Sequence, residues 1–313
     1  MKISAAVSSY ISHKRAQGMR FRAEDAILKA FCKAVGDILI ANVLATAVRA
    51  FLDGHGPVTD TWAKKYHALS GLYRFALARG WVSVSPLPRS IPKPSAPAFV
   101  PYIYSQAELK RLLDAIPLAC TERSAIDPYV FRALIFLLYG AGLRLGEALA
   151  LSVNDVDLQQ ACLDVRETKF FKHRLVPMGT DLTTVMRAYL VKRNGLHAVL
   201  ADAPFLCCRD GSMLSQSATR NAFRRLRAVA NIGREGGARR QPRLHDLRHT
   251  AAVHRVIAWY RSGVDLQERL PKLATYLGHV DLSATQRYLT MTPELLLAAS
   301  RRFEQYALEV NHG

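Results

Sequence analysis

Several things are scarce in this chain of 313 residues. Its five cysteines (Cys32, Cys120, Cys162, Cys207 and Cys208) are odd in number and form no CxxC pair. Neither a disulfide framework nor a zinc ribbon is indicated, and a reducing compartment fits. Long apolar runs are missing. The longest, residues 133–143, is bounded by Arg132 and Arg144 and is well short of the roughly 20 residues that a spanning helix requires. No membrane partner is expected. The opening Met1-Lys2-Ile3-Ser4 lacks the apolar stretch of a secretory signal, so the expected location is the cytoplasm. Negative charge is the last deficit: 25 Asp and Glu stand against 43 Lys and Arg, a formal net charge of +18. A chain so basic usually meets a polyanion, and nucleic acid leads the candidates.

What is present points to two domains. The length is long for a single core, and half of the residues are hydrophobic, enough for a substantial interior. Residues 1–95 read as helical throughout, with three- and four-residue apolar spacing over residues 26–35, 43–52 and 66–78. This region carries fourteen Lys and Arg against five acids. Any one lysine there is accounted for by a solvated helix face, but balanced faces carry both signs, whereas phosphate selects one. Residues 1–95 are therefore expected to grip a DNA backbone. Six prolines between Pro86 and Pro101 rule out helix and central strand, marking residues 86–101 as a linker. Residues 102–313 form the second domain.

That second domain reads as mainly helical with one small β-hairpin. Ser105 and Glu108 have capping-box spacing. Residues 128–139 are apolar almost all round, as a central core helix would be. The helix stops at Gly140-Ala141-Gly142, and Arg144 and Glu147 follow in Gly-Leu-Arg-Leu-Gly-Glu. Residues 162–166 and 174–178 read as two strands, with Lys169 and Lys172 in the turn between them. Helices over 181–192 and 215–230 lead to an Arg- and Gly-rich loop. Then comes His245-Asp246-Leu247-Arg248-His249, whose i, i+3 and i+4 spacing puts His245, Arg248 and His249 on one helix face. Leu277-Gly278-His279 follows, and Tyr288 lies nine residues beyond His279.

In this order the motifs resemble those of the tyrosine recombinase (phage integrase) family. The resemblance implies an α+β catalytic domain preceded by a helical core-binding domain. It implies that Arg144 and Arg248 hold the non-bridging oxygens of a scissile phosphate and that Glu147 braces the first. His245 and His279 would complete the set around that phosphate, Tyr288 would be the nucleophile, and Lys169 would protonate the departing 5′ oxygen. The partner implied is double-stranded DNA at recombination sites, within a homo-tetramer or a hetero-tetramer with related recombinases. The family's C-terminal segments dock on neighbours, and residues 293–308 are candidates for such a helix, with packing on their own domain the alternative. Lys172 competes with Lys169 because Phe170, not a small residue, follows Lys169. Residues 259–271 lengthen the spacing from Arg248 to His279, which is similar to the transposon-borne branch encoded in groups of three.

The chemistry of these residues is consistent with that reading. Guanidinium forks bind phosphate oxygens bidentately and stay charged at any working pH. A tyrosine with an ordinary pKa near 10 must shed its proton during attack, and an imidazole such as His245 is a suitable acceptor. With arginines supplying positive charge, no cofactor need be invoked. A zinc site at His245 and His249 is the first rival, but Asp246 stands where a metalloprotease has Glu, and Arg248 would repel the cation. A non-catalytic DNA-binding factor and a type IB topoisomerase-like relaxing enzyme are the other two.

Overall fold

The computed structural model describes residues 1–55, 58–92, 100–166 and 173–279, together with Leu297 and Ser300. Lys169, Lys172, Tyr288, part of the proline-rich segment and, apart from Leu297 and Ser300, the expected helix over 293–308 lie outside the described residues. The chain divides into two compact units, Met1–Ala98 and Phe99–Gly313.

The first unit is a helical bundle of α1 (Ile3–Ala16), α2 (Arg22–Val35), α3 (Ala45–Asp53) and α4 (Asp60–Ala78). Helix α1 buries Ile3, Ala6, Val7, Tyr10 and Ile11, a stripe at helical spacing. Its four interspersed serines dilute that pattern in the sequence. Helix α4 starts earlier than its apolar periodicity suggests. The Thr59 hydroxyl accepts from the Thr61 N–H at 3.3 Å, and the Trp62 indole donates to Asp53 at 2.7 Å, tying α4 to the end of α3. Leu28 and Phe31 meet Leu69, Leu72 and Tyr73 in the core.

The second unit is mainly helical with a small antiparallel sheet, as the sequence indicates. Helix α5 (Gln106–Ala119) opens with the expected capping box. The Ser105 hydroxyl accepts from the Glu108 N–H at 3.2 Å, and the Glu108 carboxylate accepts from the Ser105 N–H at 2.8 Å. Helix α6 (Pro128–Tyr139) is buried on nearly all sides, which explains its unbroken apolar sequence. It is packed by α5, by α7 (Leu145–Ala150), by α8 (Thr180–Asn194) and by α10 (Leu244–Arg261). Helix α9 (Gln216–Val229) lies against α5, and α11 (Leu266–Leu277) against α10.

The sheet has the order β1 (Val156–Asp157), β2 (Cys162–Val165), β3 (Arg174–Pro177), with Leu163 opposite Val176 and Val165 opposite Arg174. In β3 the inward positions hold Val176 and Arg174, while Leu175 points outward and is 70% exposed. Among the described residues no helix is long and apolar enough to cross a membrane.

Phe131 is fully buried at the centre of the second core. Phe131→Ala is expected to destabilise this unit by about 3–5 kcal/mol, read as a lower urea midpoint with an unchanged slope.

Candidate active site

The site is built on the C-terminal end of α11. The helix stops at Gly278, which adopts a left-handed conformation with φ +66°. The carbonyls of Ala274 and Thr275 still accept backbone N–H groups from His279 and Gly278, both at 2.9 Å. Among the described residues the next three carbonyls have no helical donor, as a helix leaves its last carbonyls unmatched. Three arginines from three other elements supply donors. Arg174 Nε, from β3, donates to the Tyr276 carbonyl at 3.3 Å. Arg248 Nη2, from α10, donates to the Leu277 carbonyl. Arg144 Nη2, from the residue preceding α7, donates to the Gly278 carbonyl at 2.7 Å. The negative end of the helix dipole favours cations at this place.

Arg248 is buried, 1% exposed, and its Nη1 also donates to the Gly142 carbonyl. Gly142 itself has φ +61°, and a Cβ there would lie 2.7 Å from Leu277 Cδ2. The Gly-Leu-Arg loop therefore approaches the end of α11 without side-chain bulk. Arg144 is a third exposed. Its Nη1 donates to Glu147 Oε1 at 2.6 Å, and its backbone N–H to Glu147 Oε2 at 2.9 Å. Arg174 grips the same carboxylate with both ends of its fork, at 3.1 Å and 2.7 Å. Burial alone would raise the Glu147 pKa, but the hydrogen bonds and charges of Arg174 and Arg144 hold it down at about 2.

On α10, His245 and His249 meet edge to face with ring centroids 4.7 Å apart. Burial and the Arg248 charge push His245 down to about 4. Burial, with His245 and Arg243, pushes His249 down to about 3. Both imidazoles are therefore neutral at neutral pH. Asp246, fully buried, anchors the start of α10 by accepting from the Arg243 backbone N–H at 2.8 Å and from its guanidinium at 3.0 Å. His245 and Arg144 share the wall of a cavity of about 800 Å³. Arg220, Arg224 and Arg227 of α9 line it as well, so positive charge extends well beyond the motifs.

The structure thus gathers Arg144, Arg248 and His279 at one turn and places His245 beside Arg144. Lys169 and Tyr288 lie outside the described residues. The sequence reading missed Arg174 and the α9 arginines. Arg174 had a signal: strand alternation places it on the same face as the core residue Val176, where a charge needs a partner. Among the described residues no three His, Cys, Asp or Glu side chains group closely enough to hold a metal ion.

A small helical scaffold that crowds arginines and neutral imidazoles around one helix end defines a site suited to an anion undergoing proton transfer. The model of the phage integrase family matches residues 104–294, and the chain belongs to that family, the tyrosine recombinases. Among its relatives, the putative integrase/recombinase y4rB of Sinorhizobium fredii is 41% identical over 66% of this chain and 66% of its own length. The putative integrase/recombinase y4rE of the same organism is 33% identical over 95% of this chain and 94% of its own length. The tyrosine recombinase XerA of Thermococcus kodakarensis is 33% identical over 67% of this chain and 65% of its own length. The fold is also that of the Tn1549 transposon integrase solved with a circular intermediate DNA, at 17% identity and TM-score 0.69, covering 95% of this chain and 99% of that one.

The depressed imidazoles set a pH dependence. An unfolded chain takes protons on His245 and His249 near pH 6.5, whereas the folded chain keeps them neutral until about 4 and about 3. Their contribution is intact above pH 6.5 and is lost as pH falls toward about 4 for His245 and about 3 for His249. A thermal unfolding series is expected to show the midpoint falling across that window, and falling less in His249→Gln.

Proposed function

We propose that the chain is a site-specific recombinase of double-stranded DNA that integrates, excises or transposes a mobile element through a covalent 3′-phosphotyrosine. The observation that carries this reading is the convergence of Arg144 and Arg248 on adjacent carbonyls of the turn that ends in His279. In this reading Arg144, a third exposed, meets one non-bridging oxygen of a phosphate, and Arg248, buried with its two Nη atoms on the Gly142 and Leu277 carbonyls, has to turn a donor from them to meet the other.

In this reading the Tyr288 oxygen attacks the phosphorus in line while its proton passes to His245, which burial keeps neutral. The bond to the 5′ oxygen breaks, and that oxygen takes a proton from Lys169, with Lys172 as the alternative donor. His279 donates to the phosphate. The phosphotyrosine retains the energy of the broken bond, so a 5′ hydroxyl of another strand reverses the attack without ATP. The first unit grips the DNA backbone, and four protomers, of this chain or with related recombinases, assemble on the paired sites. The names of the relatives agree with such a role: y4rB and y4rE are putative integrases/recombinases, and the structurally similar Tn1549 protein is a transposon integrase.

The test starts from a pool of nicked random-sequence duplexes, from which the wild-type protein captures its own site as an adduct that survives boiling in detergent. The adduct is expected to vanish in Tyr288→Phe and to persist in EDTA. Binding without any adduct would indicate an accessory factor, an undiminished adduct in Tyr288→Phe would remove the nucleophile assignment, and loss in EDTA would revive a metal. Affinity for the captured duplex is also expected to fall steeply with salt, and the log–log slope to be shallower for residues 102–313 alone. Equal slopes would argue against a grip by the first unit.

A further inference from the structure

We infer that Arg174 is a positioning residue for the phosphate clamp, restoring to Arg144 the positive charge that Glu147 would otherwise cancel. The inference rests on the recombinase reading and adds to it a residue that the family resemblance does not assign.

The geometry is that of a shared carboxylate. Glu147, 7% exposed, takes two hydrogen bonds from Arg144 and two from Arg174. Arg144 with Glu147 alone would be a neutral pair, and a neutral pair has little attraction for a phosphate. Arg174 makes the group a cation again. It also divides the pull of the carboxylate, so the Arg144 guanidinium is braced on one side without being neutralised. The long-range field at the site therefore depends on a side chain that need not touch the DNA.

Two further observations bear on this role. First, Arg174 occupies an inward strand position at only 12% exposure, while the neighbouring Leu175 is left outside. Burying an ion pair seldom stabilises a fold as well as apolar residues of similar volume do. A charge kept in such a place is better explained by its field than by its packing. Second, the guanidinium fills the space beside Gly278, where a Cβ would lie 2.9 Å from Arg174 Nη1. Arg174 thus abuts the very turn whose carbonyls orient Arg144 and Arg248.

The charge argument makes a double substitution informative. Counting Arg144, residue 147 and residue 174, the node carries one positive charge in the wild type and none in Arg174→Gln. It carries two in Glu147→Gln and one again in the double variant. Single-turnover adduct formation on the captured duplex is measured beside equilibrium binding and a circular-dichroism melt. Arg174→Gln is expected to slow adduct formation roughly 10- to 100-fold, with affinity for the duplex changed less than threefold. Adding Glu147→Gln is expected to recover at least tenfold of that loss, and Arg174→Lys to stay within about fivefold of the wild type.

If Arg174 merely knits β3 to α7, the double variant will be as slow as Arg174→Gln or slower, and the inference is overturned. Should Arg174→Gln fail to fold, Arg174→Lys decides: folded and active supports the charge role, while folded and inactive, or unfolded, refutes it. If the wild-type protein captures no duplex covalently, the recombinase reading has failed, which is a different result from any of these.

Discussion

Three successive carbonyls at the end of one helix organise the catalytic unit. Tyr276, Leu277 and Gly278 offer acceptors that α11 cannot use, and a strand, a long helix and a loop each contribute one arginine to them. Left bare in a partly buried setting, each carbonyl would cost about 1–3 kcal/mol. Satisfying them with guanidiniums turns an ordinary helix end into the point where distant parts of the chain are brought into register. Arg144 and Gly278 are 134 residues apart in sequence, and one hydrogen bond joins them.

The same arrangement solves an electrostatic problem. Several cations gathered in one place repel each other and lower the proton affinity of nearby imidazoles. Here the repulsion is moderated by two buried carboxylates, Glu147 between Arg144 and Arg174, and Asp246 against Arg243. What remains of it is useful. With burial, it keeps His245 and His249 unprotonated in a region dense with positive charge, so they retain lone pairs where a fully charged cluster would have none. The sequence places these acids three residues from their arginines, at Arg144/Glu147 and Arg243/Asp246, so each helix start carries its own counter-charge.

Much of this was legible in the residues. The capping box at Ser105, the all-apolar α6 and the two strands around the lysines follow from local spacing, because each depends on neighbours in sequence. Arg144, His245, Arg248 and His279 stand out by motif, and three of the four meet at a single turn. The apolar stripe of α1, within a region that reads as helical, is diluted by serines, and β1 is too short, at two residues, to leave a periodic trace. Arg174 was overlooked for a different reason. Its importance comes from a carboxylate 27 residues away and a carbonyl 102 residues away, and no local pattern records such partners. The burial of Arg248 was equally unreadable, since an arginine on an amphipathic face is usually solvated.

Gly142 and Gly278 both lie at this junction, each in a left-handed conformation and each with its would-be Cβ space taken by a neighbour, Leu277 for one and Arg174 for the other. These two positions have no slack: a methyl group at either one would press on a side chain that another part of the site relies on. The region should therefore be far less permissive to substitution than its position between helices would suggest. Substitutions in this scaffold have to find their freedom elsewhere, such as along α9, while the glycine pair stays fixed.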